Sequence, residues 1–187
     1  MGIEKPDFLG IGVMRGGTTW LYKQLRTHPD IYVPPLQKEL HFFDRHYKKG
    51  RNWYKNHFNT SGFRKYGEIT PRYFSHKKAA RRIKDTLDKP RFILILRNPV
   101  KRSYSQYKRH LRYNNTEDSF RTFIEKKKKW ERGLYAKHVK RWLNYFDRKQ
   151  FKIIIFEDMM SNKKSYLREI ANFLNVNPDT YNFSQID

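Results

Sequence analysis

The sequence predicts an α/β fold: a mainly parallel central sheet flanked by helices, three layers in all. Three observations lead there. Apolar, strand-like runs alternate along the chain with segments of helical periodicity, which is the pattern of repeated βαβ units. The first run, FLGIGV at residues 8–13, breaks into a glycine turn and re-emerges as a helix start at Thr18 and Thr19. The clearest buried strand, RFILIL at residues 91–96, is followed at once by Arg97, Asn98 and Pro99, a second strand-to-helix turn. Ligands of parallel sheets bind beyond the carboxyl ends of the strands, and both turns lie at that edge.

Taken in order, the elements are as follows. Trp20, Leu21 and Leu25 share one face of the first helix. Thr27, His28, Pro29 and Asp30 form a turn, and Ile31, Tyr32 and Val33 a short strand closed by Pro34 and Pro35. QKELHFFD at residues 37–44 mixes polar and aromatic residues and reads as a loop. Trp53, Tyr54 and Phe58 suit a short amphipathic helix, and YGEIT at residues 66–70 a strand ended by Pro71. A basic helix is expected over residues 77–87, and another helix over 100–113, with Tyr104, Tyr107 and Leu111 in register. Two further helices, 120–129 and 135–146, precede the last strand, FKIIIF at 151–156, and a final helix over 166–174. The lysine run at 126–129 reads as a solvated helix face. The 187 residues are expected to form one domain, 1–187, long enough to bury a real core.

Charge narrows the function classes. Forty-one Lys and Arg against 18 Asp and Glu give +23, spread along the whole chain. Such a field attracts nucleotides, nucleic acids, acidic glycans and acidic membranes without choosing among them. Aromatic content of 17% argues against disorder. With no cysteine, disulfides, thiolate metal sites and a cysteine nucleophile are excluded. The start, MGIEKPDF, has no apolar signal region, and Pro6 breaks the myristoylation pattern. No run approaches the ~20 apolar residues of a membrane span, so the expected location is cytoplasmic. Triplets of the N-x-[ST] type at Asn59, Asn114 and Asn182 carry little weight without a secretory signal.

The glycine turn supplies the first chemistry. Unpaired N–H groups at a helix start, with the helix dipole, bind phosphate or sulfate. Gly16 and Gly17 let backbone approach an anion, and Arg15 adds a full charge. From Gly12 the loop reads G-V-M-R-G-G-T-T, close to the Walker A pattern, but Thr18 stands where the phosphate-binding lysine belongs. An ordinary ATPase or GTPase is therefore a poor reading.

Four motifs in sequence carry a family resemblance: GVMRGGTT, KELHFFD, LILRNPVKRSYSQY and GLYAKHVKRWLNYF. Together they resemble the PAPS-dependent sulfotransferases, and within them the heparan sulfate (glycosaminoglycan) branch, over roughly residues 7–160. The resemblance implies a P-loop-like fold and transfer of a sulfuryl group from PAPS to a hydroxyl or amine, with PAP as product and no metal. It implies Glu39 as general base, with Arg15 and His41 as catalytic partners. Donor binding falls to Met14, Arg15, Gly16, Gly17, Thr18, Thr19 and Trp20 at the 5′-phosphosulfate, and to Arg97 and Ser105 at the 3′-phosphate. Acceptor contacts are expected from Lys38, His41, Glu68, Arg72 and His138, with a carbohydrate as the expected acceptor. The residues fit this chemistry in their own right. A donor with two separated anionic ends needs two anion sites, and Arg97 at a strand end, with Ser105 about two helical turns on, supplies the second.

Bland readings stand beside these. Glu39 alone reads as a surface carboxylate paired with Lys38; within KELHFFD the catalytic reading prevails. His41 is balanced between acceptor contact and a structural hydrogen bond. Glu68 and Arg72 are equally a structural ion pair, His138 reads as a partly buried structural histidine, and Arg97 alone could cap a strand end. Two departures from the family pattern stand out. Arg15 replaces a lysine, keeping the charge with different reach, and no Gly- and Lys/Arg-containing cofactor-closing loop follows the final helix before Asp187. The alternatives are a basic nucleic-acid-binding α/β protein, for which no specific recognition motif is present, and a small-molecule kinase, which lacks its lysine.

Overall fold

The computed structural model describes residues 6–181; Asn182 and both chain ends lie outside them. Five strands form one sheet in the order β2-β3-β1-β4-β5. They are β1 (Phe8–Gly12), β2 (Ile31–Tyr32), β3 (Lys65–Ile69), β4 (Arg91–Leu96) and β5 (Phe151–Ile155), and every neighbouring pair is parallel. Phe8 sits opposite Gly67 on one side and Arg91 on the other, so β1 is the central strand. A strand covered on both faces needs an unbroken apolar run, and β1 is buried at all five positions.

Alternation along the strands divides the core into two layers. Leu9, Ile11, Phe92 and Leu94 face one cluster with Phe43, Tyr54, Phe74, Ile83 and Trp142. Phe8, Ile93 and Ile95 face the other, with Leu21, Leu25, Met159, Leu167, Ile170 and Leu174. The first layer is covered by α2 (Gly50–Lys55), α3 (Ala79–Lys84) and α6 (Tyr135–Leu143); the second by α1 (Thr18–Arg26), α7 (Phe156–Ser161) and α8 (Lys163–Leu174). The three-layer α/β architecture is as expected from sequence.

Some bounds differ. The basic helix expected over 77–87 is confined to α3, and the helix expected over 120–129 ends as α5 (Phe120–Glu125) before a 3-10 stretch, Lys126–Gly133. Residues 37–44 are not all loop, because a π-helical turn, Phe42–His46, buries Phe42 and Phe43. The turn of α7 begins directly at the end of β5, where the sequence still reads as strand. The long helix α4 (Pro99–Asn114) follows β4, with Asn98 accepting from the N–H groups of Val100 and Lys101 and proline at its first position.

Candidate functional site

Two strand-to-helix turns build one wall of a cleft. At the end of β1 the Val13 N–H donates to the Ile95 carbonyl at 2.8 Å, and the Gly16 N–H to the Val13 carbonyl at 2.9 Å, which ties the loop to β4. A Cβ at Gly16 would lie 2.9 Å from both Ile95 O and the Val13 side chain. Gly17 has φ +85, and a Cβ there would meet the Phe156 ring at 2.9 Å. Only glycine fits both positions. Helix α1 starts at Thr18 with no side-chain cap and no acidic residue in its first turn. Its leading N–H groups and dipole therefore favour an anion there.

Beside this loop, Arg97 donates to the Arg15 carbonyl at 3.0 Å and stacks on Phe156 at 4.5 Å, while its Nε is buried without a partner. Ser105, two turns along α4, accepts from Arg15 Nε at 3.1 Å. Partial burial lowers the Arg15 pKa, and the nearby charges of Arg109, Arg97 and Arg112 lower it further. Among the described residues, no carboxylate pairs with Arg15, Arg97 or Arg109. Cations held together without counter-ions, one with an orphaned donor, fit a ligand carrying phosphate groups.

The opposite wall carries a chain of charges. Lys38 Nζ donates to Glu39 Oε1 at 3.1 Å, and His41 Nε2 lies 3.2 Å from Glu39 Oε2. The other ring nitrogen of His41 reaches the fully buried Asp44 carboxylate at 3.1 Å, and Arg72 Nε contacts the same carboxylate at 3.3 Å. Hydrogen bonds to Asp44 and then Glu39 outweigh burial and raise His41 to about 9, so it is an imidazolium at neutral pH. Burial alone would raise Glu39, but bonds from His41 and Lys38 overcome it and hold the carboxyl at about 2. His41 has φ 53 at the head of the π-helical turn, and that turn sets its ring between the two carboxylates.

The cleft between the walls has a volume of about 550 Å³. It brings together Met14, Arg15, Gly17, Thr18, Thr19, Lys38, Glu39, His41, Arg72, Arg97 and Ser105 from the sequence-derived set. Gly16 is buried behind it, and the Trp20 side chain packs half-buried on the second core layer. Glu68 is a correction: with no exposure it reaches no acceptor, and it forms no ion pair with Arg72. Its oxygens accept from Tyr54 at 2.6 Å, Thr70 at 2.7 Å and Tyr73 at 3.0 Å. His138 is buried outside the cleft, Nε2 on the Glu131 carbonyl at 3.0 Å and Nδ1 beside Arg141 at 3.2 Å. The sequence reading missed Asp44, Arg45, Gln106, Arg109 and Phe156. Helical spacing from Ser105 could have found Arg109, four residues on, and Asp44 ends the KELHFFD motif itself.

Comparison with known proteins gives one consistent picture. Residues 5–186 match the family model described as the sulfotransferase domain. Over 181 residues the chain is 34% identical to heparan sulfate glucosamine 3-O-sulfotransferase 6 of Homo sapiens, covering 91% of this chain and 52% of that protein. It thus spans about half the length of the curated relatives it matches. The crystal structure of a sulfotransferase from Alicyclobacillus acidocaldarius matches with TM-score 0.87 and 29% identity, over 99% of this chain and 87% of that one. Mouse sulfotransferase SULT7A1, solved complexed with PAP, shares the fold at TM-score 0.64 and 18% identity, over 100% and 63% of the two chains. Among the described residues no helix is long and apolar enough to cross a membrane.

Proposed function

Since the chain belongs to the sulfotransferase family, we propose that it moves a sulfuryl group from PAPS to a hydroxyl or amine of a carbohydrate acceptor, with Glu39 as the general base. The observation that carries this reading is the facing of the two walls. Unpaired cations and an uncapped helix start stand on one side of a single cleft, and an ionised carboxylate stands on the other.

PAPS, when bound, supplies an activated sulfuryl group on a phosphate leaving group. Arg97 and Ser105 hold the 3′-phosphate; Arg15 and the leading N–H groups of α1 hold the phosphosulfate end. Negative charge that builds on the bridging oxygen falls to the N–H groups of the helix start, which are fixed in place, and to Arg15 once its guanidinium leaves Ser105. Glu39 takes the acceptor proton as the acceptor oxygen or nitrogen bonds to sulfur and the bridging S–O bond breaks. In the free protein both Glu39 oxygens hold donors, so the carboxylate is ionised but weakly basic. An acceptor that displaces Lys38 or His41 raises its basicity at the moment of use. His41, held by Asp44, keeps the carboxylate oriented.

Calorimetric titration with PAP in metal-free buffer tests the donor half of this reading. Wild type is expected to bind in the micromolar range, and Arg97→Ala with Ser105→Ala to lose about 100-fold, two charge-assisted contacts at about 1.5 kcal/mol each. A folded wild type that ignores PAP would overturn it.

A further inference from the structure

Glu68 is a wholly buried carboxylate on β3 that the transfer chemistry does not use. Among the described residues only hydroxyls hold it: Tyr54 and Tyr73 donate to Oε1 at 2.6 and 3.0 Å, and Thr70 to Oε2 at 2.7 Å. Burial raises its pKa to about 7 against those three bonds, so the site keeps a costly charge. Two of the three hydroxyls have a second task. The His41 N–H is directed at Thr70 Oγ1 at 3.5 Å, and the Phe43 N–H at the Tyr73 hydroxyl at 3.4 Å. These N–H groups stand on either side of Phe42, where the chain enters the π-helical turn with His41 at φ 53. The platform beneath them is tied to β1. The Thr70 N–H donates to the Gly10 carbonyl and the Phe74 N–H to the Ile11 carbonyl, both at 2.9 Å.

We infer that Glu68 is a positioning residue for the segment that carries the base. By taking the protons of Thr70 and Tyr73 it turns their lone pairs toward the His41 and Phe43 N–H groups, and so fixes where the His41 ring and Glu39 stand in the cleft. The inference rests on the reading of Glu39 as base. A hydroxyl has one proton and two lone pairs. With its proton committed to a carboxylate, it meets a backbone N–H as an acceptor; with the proton free to swing, two donors face each other. Three hydroxyl protons use both carboxylate oxygens, whereas a glutamine amide offers one oxygen and two donors of its own. At least one hydroxyl must then turn its proton elsewhere. Tyr54 differs from the other two. Among the described residues its hydroxyl bonds to Glu68 alone, and its ring stacks on Phe42 at 4.4 Å whatever the hydroxyl does. The network therefore registers the base segment against β1, the strand that continues into the donor loop. A displacement of about 1 Å at a reacting group costs up to about 100-fold in rate.

The test compares Glu68→Gln, Tyr73→Phe and Tyr54→Phe with wild type at about pH 8, where Glu68 is ionised. Turnover with PAPS and a sulfated tetrasaccharide gives kcat and KM, and NMR follows the titration of the His41 ring in the free protein. Glu68→Gln and Tyr73→Phe are expected to lower kcat by about tenfold or more, with KM for PAPS within about twofold. Both are also expected to move the His41 titration down from about 9. Tyr54→Phe loses a hydrogen bond to the same carboxylate, and stability with it, but is expected to keep the kcat and the His41 titration of wild type. That contrast separates positioning from the integrity of the core. If Glu68→Gln does not fold, Tyr73→Phe carries the comparison. Wild-type kcat and His41 titration in Glu68→Gln and Tyr73→Phe, or an equal loss in Tyr54→Phe, would overturn the inference. A wild type that transfers nothing would instead strike the reading of Glu39 as base, and the His41 titrations, which need neither donor nor acceptor, would still decide the inference.

Discussion

Replacing Asp44 by Asn removes the charge that fixes the His41 imidazolium while keeping the shape of the side chain. Asp44 has no side-chain exposure and holds both His41 and Arg72. The rise of His41 from its ordinary 6.5 to about 9 is worth about 3 kcal/mol at 1.36 kcal/mol per unit. Asp44 is its largest cause and Glu39 the second, so Asp44 accounts for about 2 kcal/mol. A histidine whose folded pKa is raised contributes fully below its unfolded value, and the contribution fades as pH rises through the folded one. The variant is therefore expected to be about 2 kcal/mol less stable than wild type at pH 6 to 7, with the difference shrinking as pH rises above about 7 and nearly gone by about pH 9. Urea denaturation across that range measures the stability, and the NMR titration of the His41 ring measures the cause. In the variant the ring should titrate back toward the ordinary histidine value. A wild-type His41 titrating near 6.5, or one indifferent to Asp44→Asn, would refute the charge chain.

Gly17→Ala must take φ +85 with a methyl group against the Phe156 ring. A destabilisation of about 2 to 3 kcal/mol is expected in denaturant titration, together with weaker PAP binding as Phe156 is pushed from beneath Arg97; an unchanged midpoint and affinity would contradict this. Burial raises Glu68 to about 7, against the bonds from Tyr54, Thr70 and Tyr73. An acid with a raised folded pKa loses stability as pH climbs from its unfolded value to its folded one. Wild type should therefore lose up to about 3 kcal/mol between pH 4.5 and 7, and Glu68→Gln should show no such slope in that window. Parallel stability profiles for the two proteins would remove Glu68 as the source.

The strands and the two turns were legible because each is encoded locally. An apolar run of strand length, two glycines and an Arg-Asn-Pro step can be read without knowing what packs on them. The π-helical turn over Phe42–His46 was not, because what stabilises it is burial of Phe42 and Phe43 against Tyr54 and Tyr73, residues from two other elements. Glu68 shows the same limit. Nothing near YGEIT in sequence announces that Tyr54 and Tyr73 close over its carboxylate. Phe156 entered the site only because α7 starts at the very end of β5 and turns that ring beneath Arg97 and against Gly17. Arg15, Glu39, Arg97 and Ser105 could be named from their motifs, but their convergence on one cleft is a product of the strand order, which places β1 between β3 and β4.

The central claim, sulfuryl transfer with Glu39 as base, is tested most directly by incubating wild type and Glu39→Gln with PAPS and a sulfated tetrasaccharide of alternating glucosamine and uronic acid. Mass spectrometry then shows whether the acceptor gains a sulfuryl group, and calorimetry with PAP checks the donor site in the same samples. The account predicts transfer by wild type, and transfer reduced by about 100-fold or more in Glu39→Gln, with equal PAP affinity in both. Equal transfer rates in the two proteins would contradict Glu39 as the base, and PAP binding without transfer by wild type would contradict the proposed acceptor.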